Sequence, residues 1–283
     1  MYFSAFSKIR FYLSLGFYNL YAPLECRNYR LKVLLNEFNF LFVTLGINKL
    51  SYSNKARMVL NTNFGNFKIR DICWELKVAS PAYERLDMNE LQRRISDSLR
   101  QNHKVVFFDI GSQFGSYSIA IGNKFKKFAE FLTIYAFEPD PENFSLLKEN
   151  VRLNNLKNMK VFNFALSNKR GSKQFYYFAP QNMIVSYPTS EKIIVKTEKL
   201  DSFMSQVRNL ESHDIFIKLD VEGHETEVLN GGLKFINGSR TTTLLVEDSF
   251  GVKTNSLVHY LKNRWRFLKK ITPYNSFWRV KQK

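Results

Sequence analysis

The sequence predicts an α/β fold in which an open, mostly parallel sheet carries helices on both faces. Five short apolar segments recur along the chain, separated by stretches with helical periodicity. Almost wholly apolar strands are typical of a sheet covered on both faces, and their alternation with helices indicates parallel β–α units. The predicted strands are residues 105–110, 133–137, 159–165, 215–219 and 243–247.

Helices are predicted between and around these strands. Helical spacing among charged residues indicates an amphipathic helix that carries Leu86, Leu91, Ile95 and Leu99. Residues 67–78 suggest one or two short strands, and 175–177 and 193–195 suggest short extended pieces. The predicted helices are residues 87–101, 117–125, 141–153, 225–229 and 257–263.

The two ends of the chain depart from the alternation. Residues 266–271 and 277–280 flank Pro273, Tyr274 and Asn275, which predicts a C-terminal antiparallel hairpin. Residues 1–62 are aromatic and basic and are predicted to form a mostly helical extension, separated by a turn-rich break from a domain at 63–283. The apolar stretch at 31–47 is uninterrupted for only about ten residues. A spanning helix needs roughly 20, so a core or interfacial helix is expected.

The net charge of +17 is concentrated at the two ends of the chain. Residues 1–62 carry eight basic and two acidic side chains, and residues 252–283 carry nine basic and none acidic. Such ends could contact a membrane surface, nucleic acid or a phosphorylated carrier, or form a solvated surface. Basic residues on the predicted hairpin also discourage edge-to-edge pairing of strands, which weakens the case for nucleic acid.

The compartment is predicted from cysteine usage and from the N-terminus. Cys26 and Cys73 are far apart and form no CxxC motif, which favours a reducing compartment and excludes a disulfide scaffold. No apolar core with a cleavage site follows Lys8 and Arg10, so no signal peptide is expected. We therefore expect a cytoplasmic protein with possible peripheral membrane contact. The oligomeric state is left open.

A glycine turn follows the first predicted strand, in the segment Asp109-Ile110-Gly111-Ser112-Gln113-Phe114-Gly115. Ligands of open α/β sheets bind beyond the carboxyl ends of the strands, where glycine allows close approach to the backbone. Asp109 would repel a pyrophosphate and attract the ammonium of a methionine moiety. The third glycine of a dinucleotide-binding GxGxxG turn is absent. An ordinary tight strand–helix turn is the structural alternative.

Acidic residues follow three further strands at the same predicted edge of the sheet. Glu138 ends the second strand, where a carboxylate can accept both hydroxyls of a ribose. The fourth strand ends in Asp220, Glu222, His224 and Glu225, which are costly to bury without partners. These are candidates for ligand contact, proton abstraction or metal binding, although His224 could equally be a solvated residue at a helix start. No metal is predicted, because the sequence cannot show several ligands converging.

A carboxylate also ends the fifth strand. Glu247 lies at the same predicted edge and could contact the substrate, while a surface carboxylate is nearly as well supported.

Taken in order and spacing, these segments resemble the FkbM family of methyltransferases, a branch of the Rossmann-like class I fold that uses S-adenosylmethionine (SAM). The resemblance covers roughly residues 68–250, includes an entry segment at 80–85 and does not extend to residues 1–62. Gln113 departs from the asparagine usual in the family, which shifts the reach of its amide. The matching segments are the turn at 109–118, Phe137-Glu138-Pro139, Asn150, Leu153-Asn154, Ala165-Leu166-Ser167, Leu200-Asp201, the stretch 218–225, Val228-Leu229 and Gly231.

The resemblance implies SAM as methyl donor and an oxygen acceptor, often on a sugar or a polyketide-like product. It places Ala165 and Leu166 beside the adenine and Asp220 near the transferring methyl group. Asp109, Gly111, Gln113 and Gly115 would hold the methionine end, and Glu138 the ribose.

A hydroxyl acceptor must lose its proton during attack, so a general base is required. The candidates are Asp220, Glu222 and His224, with Glu247 orienting the substrate. Three other functions stay open: a dinucleotide-dependent dehydrogenase, a nucleic-acid methyltransferase, and a non-catalytic module that docks a membrane or partner. Asp109 and the missing glycine disfavour the first, and the lack of an Asn-Pro-Pro-Tyr-like motif after the fourth strand disfavours the second.

Overall fold

A computed structural model describes residues 58–70, 74–79, 83–178, 181–183, 192–248, 252–272 and 274–280. The chain divides into two compact units after Met88. The predicted helical extension and the apolar stretch at 31–47 lie outside the described residues, except that Met58–Thr62 forms a strand.

The first unit contains a hairpin and a short helix. Strand β1, Met58–Thr62, pairs antiparallel with β2, Gly65–Ile69, so the predicted break near residue 62 is the hairpin turn. The division of domains at residue 62 stays a prediction. Of the one or two short strands expected at 67–78, β2 accounts for the first part. The second part forms helix α1, Trp74–Ala79, so a second strand there was wrong. The Glu75 carboxylate accepts a hydrogen bond from Arg70 Nε at 2.8 Å and so fixes the start of this helix.

Helix α2, Arg85–Arg100, confirms the amphipathic helix predicted at 87–101. Leu91, Ile95 and Leu99 are buried at the predicted spacing, whereas Leu86, in the first turn of the helix, is exposed.

The second unit is built on a seven-stranded sheet that confirms the predicted architecture. The described strands of this sheet are β3 (Lys104–Ile110), β4 (Leu132–Phe137), β5 (Met159–Phe162), β10 (His213–Leu219), β11 (Thr241–Glu247), β12 (Trp265–Lys270) and β13 (Asn275–Val280). Their order across the sheet is β5-β4-β3-β10-β11-β13-β12, and β13 runs antiparallel to the other six. Strands β12 and β13 are the predicted C-terminal hairpin.

Helices cover both faces of this sheet. The described helices are α3 (Ser116–Lys124), α4 (Pro141–Leu153), α5 (Glu225–Asn230), α6 (Leu233–Gly238) and α7 (Val252–Arg264). On one face, Val106, Phe108 and Ile110 share a core cluster with apolar residues of α5, α6 and α7. On the other face, Gly122 of α3 lies against Ile134, and alternate strand residues are also buried there.

A second, four-stranded sheet has the order β6-β9-β7-β8. The single strand predicted at 159–165 is divided, because Asn163 leaves the main sheet and donates its amide to the carbonyl oxygens of Glu138 and Pro139. Ala165 therefore packs with Phe175 and Val195 in a small separate core. These strands are β6 (Ala165–Leu166), β7 (Gly171–Phe178), β8 (Gln181–Met183) and β9 (Lys192–Glu198).

The strand order reverses between β3 and β10, since the chain runs outward from β3 on one side and from β10 on the other. Ligands of open α/β sheets bind in the crevice at such a reversal, beyond the carboxyl ends of the strands. Within the described residues, no helix is both long and apolar enough to cross a membrane.

Candidate active site

The glycine turn lies directly at the reversal point. Gly111 has a φ of +81° and Gly115 a φ of +95°, backbone conformations that other residues adopt at a cost. The amide of Gly111 donates to the carbonyl oxygen of Phe137 at 3.1 Å, so the turn is joined to the end of β4. A Cβ at Gly115 would press on Leu147 of α4, so the close approach of that helix favours a glycine at this position.

Asp109 lies behind this turn rather than in the cavity. Its side chain is fully buried, and Oδ2 accepts hydrogen bonds from the amide of Ser118, at 3.0 Å, and from the Ser118 hydroxyl. Burial raises the pKa of Asp109, and the charge of Lys218 opposes that rise. The predicted contact of Asp109 with the methionine end stays a prediction, and its visible contact is with the start of α3.

Glu138 is held at the end of β4 by backbone amides. Its Oε2 accepts from the amide of Gln113 at 2.8 Å, and its Oε1 accepts from the amide of Asp140 at 2.9 Å. Burial raises the pKa of Glu138 to about 8. Asp140 caps α4 by accepting from the amides of Glu142 and Asn143, so the two neighbouring acids have separate tasks. Each Glu138 oxygen retains a lone pair for a hydroxyl donor.

An open cleft of about 610 Å³, a volume that includes the solvent at its mouth, lies above the turn. Asp109, Gly115 and Glu247 are not among the residues that line it. The predicted site residues that do line it are Gly111, Gln113, Glu138, Ala165, Leu166, Asp220, Glu222 and His224.

Sequence reasoning missed the aromatic wall of the cavity. Phe137, Phe164 and Phe175 line it, and the rings of Phe137 and Phe164 lie 5.8 Å apart. Phe175 comes from the second sheet, whose position relative to the first no periodicity could reveal. The run Phe162-Asn163-Phe164-Ala165 contained a signal, because aromatic residues at the end of an apolar strand lie near the ligand edge.

Three carboxylates lie close together at the ends of β10 and β11. Asp220, Glu222 and Glu247 form an acidic trio in which one oxygen from each lies within 4.8 Å of the others. Asp220 Oδ2 accepts from Lys218 Nζ at 3.0 Å. Burial, together with the charges of Asp220 and Glu225, raises the pKa of Glu222 to about 7. Glu247 thus joins the candidate bases predicted from the fourth strand, although it does not line the cavity.

The trio is also the group whose spacing, among the described residues, could hold a divalent cation. The repulsion between these carboxylates can also be relieved if they share a proton, and the raised pKa of Glu222 favours that state.

His224 is buried and already engaged. Its Nε2 lies 3.0 Å from Ser167 Oγ and 3.3 Å from Lys173 Nζ, and its Nδ1 lies 3.6 Å from Glu227 Oε2. An ammonium can only donate, so Nε2 must accept from Lys173 and the ring proton belongs on Nδ1. The lone pair that a general base would use is therefore occupied in this arrangement.

The lining fits the chemical groups of SAM. Glu138 can accept two ribose hydroxyls, the phenylalanine wall suits an adenine, and the acidic side chains favour a sulfonium cation. No lysine or arginine is among the described lining residues, so this lining offers no cationic side chain to the pyrophosphate of a dinucleotide.

A family profile and a curated protein both match part of this chain. The profile of the methyltransferase FkbM domain matches residues 109–269. A curated protein named methyltransferase 1, from Beauveria bassiana strain ARSEF 2860, is 26% identical over 145 residues. That match covers 44% of this chain and 56% of the relative, so the chain spans about half the length of the curated relative it matches.

Solved structures with a similar chain path are methyltransferases of low sequence identity. A SAM-dependent methyltransferase from Aquifex aeolicus is 14% identical, with a TM-score of 0.42, and the match covers 75% of this chain and 98% of that one. An rRNA methylase from Streptococcus thermophilus is 11% identical, with a TM-score of 0.37 and coverages of 66% and 93%.

The family match covers more than half of the chain and includes the glycine turn, Glu138 and the acidic trio. The strand order and the single antiparallel strand β13 are those of the predicted class I fold. The chain belongs to the FkbM family of methyltransferases.

Proposed function

We propose that this protein methylates a hydroxyl oxygen of a sugar, a glycan or a related small acceptor. The observation that carries the proposal is the position of Glu222. Its carboxyl has a pKa near neutrality and lines the same cavity as the candidate ribose ligand Glu138. A base whose pKa lies near the working pH is suited to take the proton of an attacking hydroxyl.

The chain's own residues would bind and orient the cofactor. Gly111 and Gln113 form the close backbone surface, Glu138 accepts the ribose hydroxyls, and Ala165, Leu166 and Phe164 form the adenine wall. When bound, SAM supplies an activated methyl group, whose bond to sulfur breaks with the electron pair left on the sulfur. The protein's remaining tasks are to align the acceptor, exclude water and remove a proton.

Among the three candidate bases, Glu222 is the best placed. Asp220 already accepts a hydrogen bond from the Lys218 ammonium, which fixes the direction of its carboxylate. His224 uses Nε2 as an acceptor for Lys173. In the described residues, no hydrogen bond to the Glu222 carboxylate is found, so it is available to a hydroxyl. We therefore assign proton removal to Glu222, orientation of the acceptor to Asp220, and support of both to Glu247.

The charge distribution favours a hydroxylated acceptor over nucleic acid. The acidic trio would repel a phosphate backbone, whereas carboxylates accept the hydroxyls of a sugar. The exposed basic side chains Arg266 and Lys269 lie on the edge strand β12 instead. They suit a peripheral contact with an anionic membrane surface, which would bring the site near lipid-linked glycans.

Calorimetric titration with SAM and, separately, with NADH tests the cofactor. Methyl-labelled SAM is then incubated with a panel of neutral sugars, lipid-linked glycans and RNA. Micromolar SAM binding without NADH binding, followed by label on a sugar hydroxyl, is the expected result. Label on RNA alone would replace the proposed acceptor, and the absence of SAM binding would indicate a non-catalytic protein.

A further inference from the structure

Lys218 is a buried cation between the two halves of the candidate site. Its Nζ donates to the carbonyl oxygen of Gly111 at 3.2 Å and to Asp220 Oδ2 at 3.0 Å. The same ammonium lies 5.4 Å from the centre of the Tyr117 ring. The side chain thus contacts the glycine turn, the acidic trio and the start of α3 at once.

The charge of Lys218 acts on carboxyl groups from three strands. It opposes the rise in pKa of Asp109 on β3, of Glu138 after β4 and of Glu222 after β10. Lys218 is 8% exposed, so water screens these interactions weakly. Asp109 depends on it most, because Asp109 Oδ1 is buried and has no hydrogen-bond partner.

We propose that Lys218 is a specificity-determining residue that sets how strongly the site prefers the sulfonium of SAM to the neutral thioether of the product, S-adenosylhomocysteine (SAH). The inference rests on the proposed function. One positive charge within a group of carboxylates reduces their attraction for a cationic ligand and leaves the binding of a neutral ligand almost unchanged. Removing the charge should therefore strengthen SAM binding relative to SAH binding.

A purely structural role for Lys218 predicts a different result. If the ammonium only held the turn against Asp220, its loss would weaken SAM and SAH by the same factor. The two ligands share every group except the methyl and its charge, so the ratio of their dissociation constants isolates the electrostatic effect.

The experiment measures SAM and SAH binding by calorimetry for the full chain, at pH 9 and at low and high salt. Wild type is compared with Lys218→Met, which removes the charge at similar volume, and with Lys218→Arg, which keeps it. Arg240→Met is the matched control. It removes one partner of the buried carboxylate Asp214, at the opposite end of β10. Melting temperatures are recorded for every variant, and Lys218→Gln replaces the methionine variant if that does not fold.

The expected result is a rise of about tenfold in the ratio of the SAH to the SAM dissociation constant in Lys218→Met, smaller at high salt. Lys218→Arg and Arg240→Met should keep the wild-type ratio. A ratio that stays within twofold of wild type in Lys218→Met, whether or not both affinities fall, overturns the proposal while leaving the proposed function intact. Wild-type protein that binds neither ligand refutes the proposed function and this inference together.

Discussion

The backbones of Gly111 and Asp220 are in direct contact across the point where the strand order reverses. A Cβ on Gly111 would overlap the carbonyl oxygen of Asp220, and the amide of Asp220 donates to the carbonyl oxygen of Ile110 at 3.1 Å. This contact brings the glycine turn to the same cavity as Asp220 and Glu222, two members of the acidic trio.

Gly111→Ala should therefore destroy the site. The substitution adds both a backbone overlap and an unfavourable positive φ, at a cost of at least about 2 kcal/mol. We expect SAM affinity to fall by more than 100-fold in calorimetry, with a lower melting temperature. Gly238→Ala is the control, because its Cβ would meet only a leucine side chain at 3.3 Å. Normal SAM binding by Gly111→Ala would contradict the close approach.

The ionised form of Glu138 should lower the free energy of unfolding, because its carboxyl is buried. Its pKa is raised from 4.5 to about 8, so the fold disfavours the ionised form, and stability should fall as pH rises from about 4.5 to about 8. Glu138→Gln should gain melting temperature relative to wild type as pH rises from 5 to 9, while its SAM affinity falls at least tenfold. Parallel melting curves against pH would show that Glu138 is not buried in the way described.

Glu222 should control the pH dependence of turnover. With its pKa raised to about 7, the fraction of ionised base, and hence the rate, should increase as pH rises through about 7. Glu222→Gln should lower kcat by 100-fold or more and abolish that increase, measured with the acceptor found in the panel. Asp220→Asn should lower the rate but keep the pH dependence. The reverse pattern would make Asp220 the base.

His224 should affect binding more than turnover. Its contacts with Ser167 and Lys173 connect the second sheet to the start of α5 beside the cavity. His224→Ala should raise the KM for SAM several-fold, and Lys173→Met should act in the same direction. A large loss of kcat at unchanged KM in His224→Ala would instead support His224 as the general base.

Metal removal tests the alternative use of the acidic trio. Because the raised pKa of Glu222 allows the three carboxylates to share a proton, SAM binding and turnover should change less than twofold after dialysis against EDTA. Activity that is lost in EDTA and restored by Mg²⁺ or Mn²⁺ would identify the trio as a metal site.

The sequence by itself determined the strand and helix alternation, because the periodicity of apolar residues depends only on local geometry. It also predicted the glycine turn, Glu138 and the acidic residues after β10, since each stands at the end of an apolar strand. It could not predict helix α1 in place of a strand, because short segments carry too few periods to distinguish the two.

Only the tertiary structure decided which of these side chains line the cavity. Asp109 and Glu138 occupy similar positions near strand ends, yet Asp109 lies behind the turn against Ser118 while Glu138 lines the cavity. The sequence showed Asp220, Glu222 and His224 as candidate bases without ranking them. The structure separated them through the contact of Asp220 with Lys218, two residues before it, and the contact of His224 with Lys173 from the second sheet. Their roles depend on burial and on neighbours brought from distant strands, and these are set by how the sheets pack rather than by local sequence.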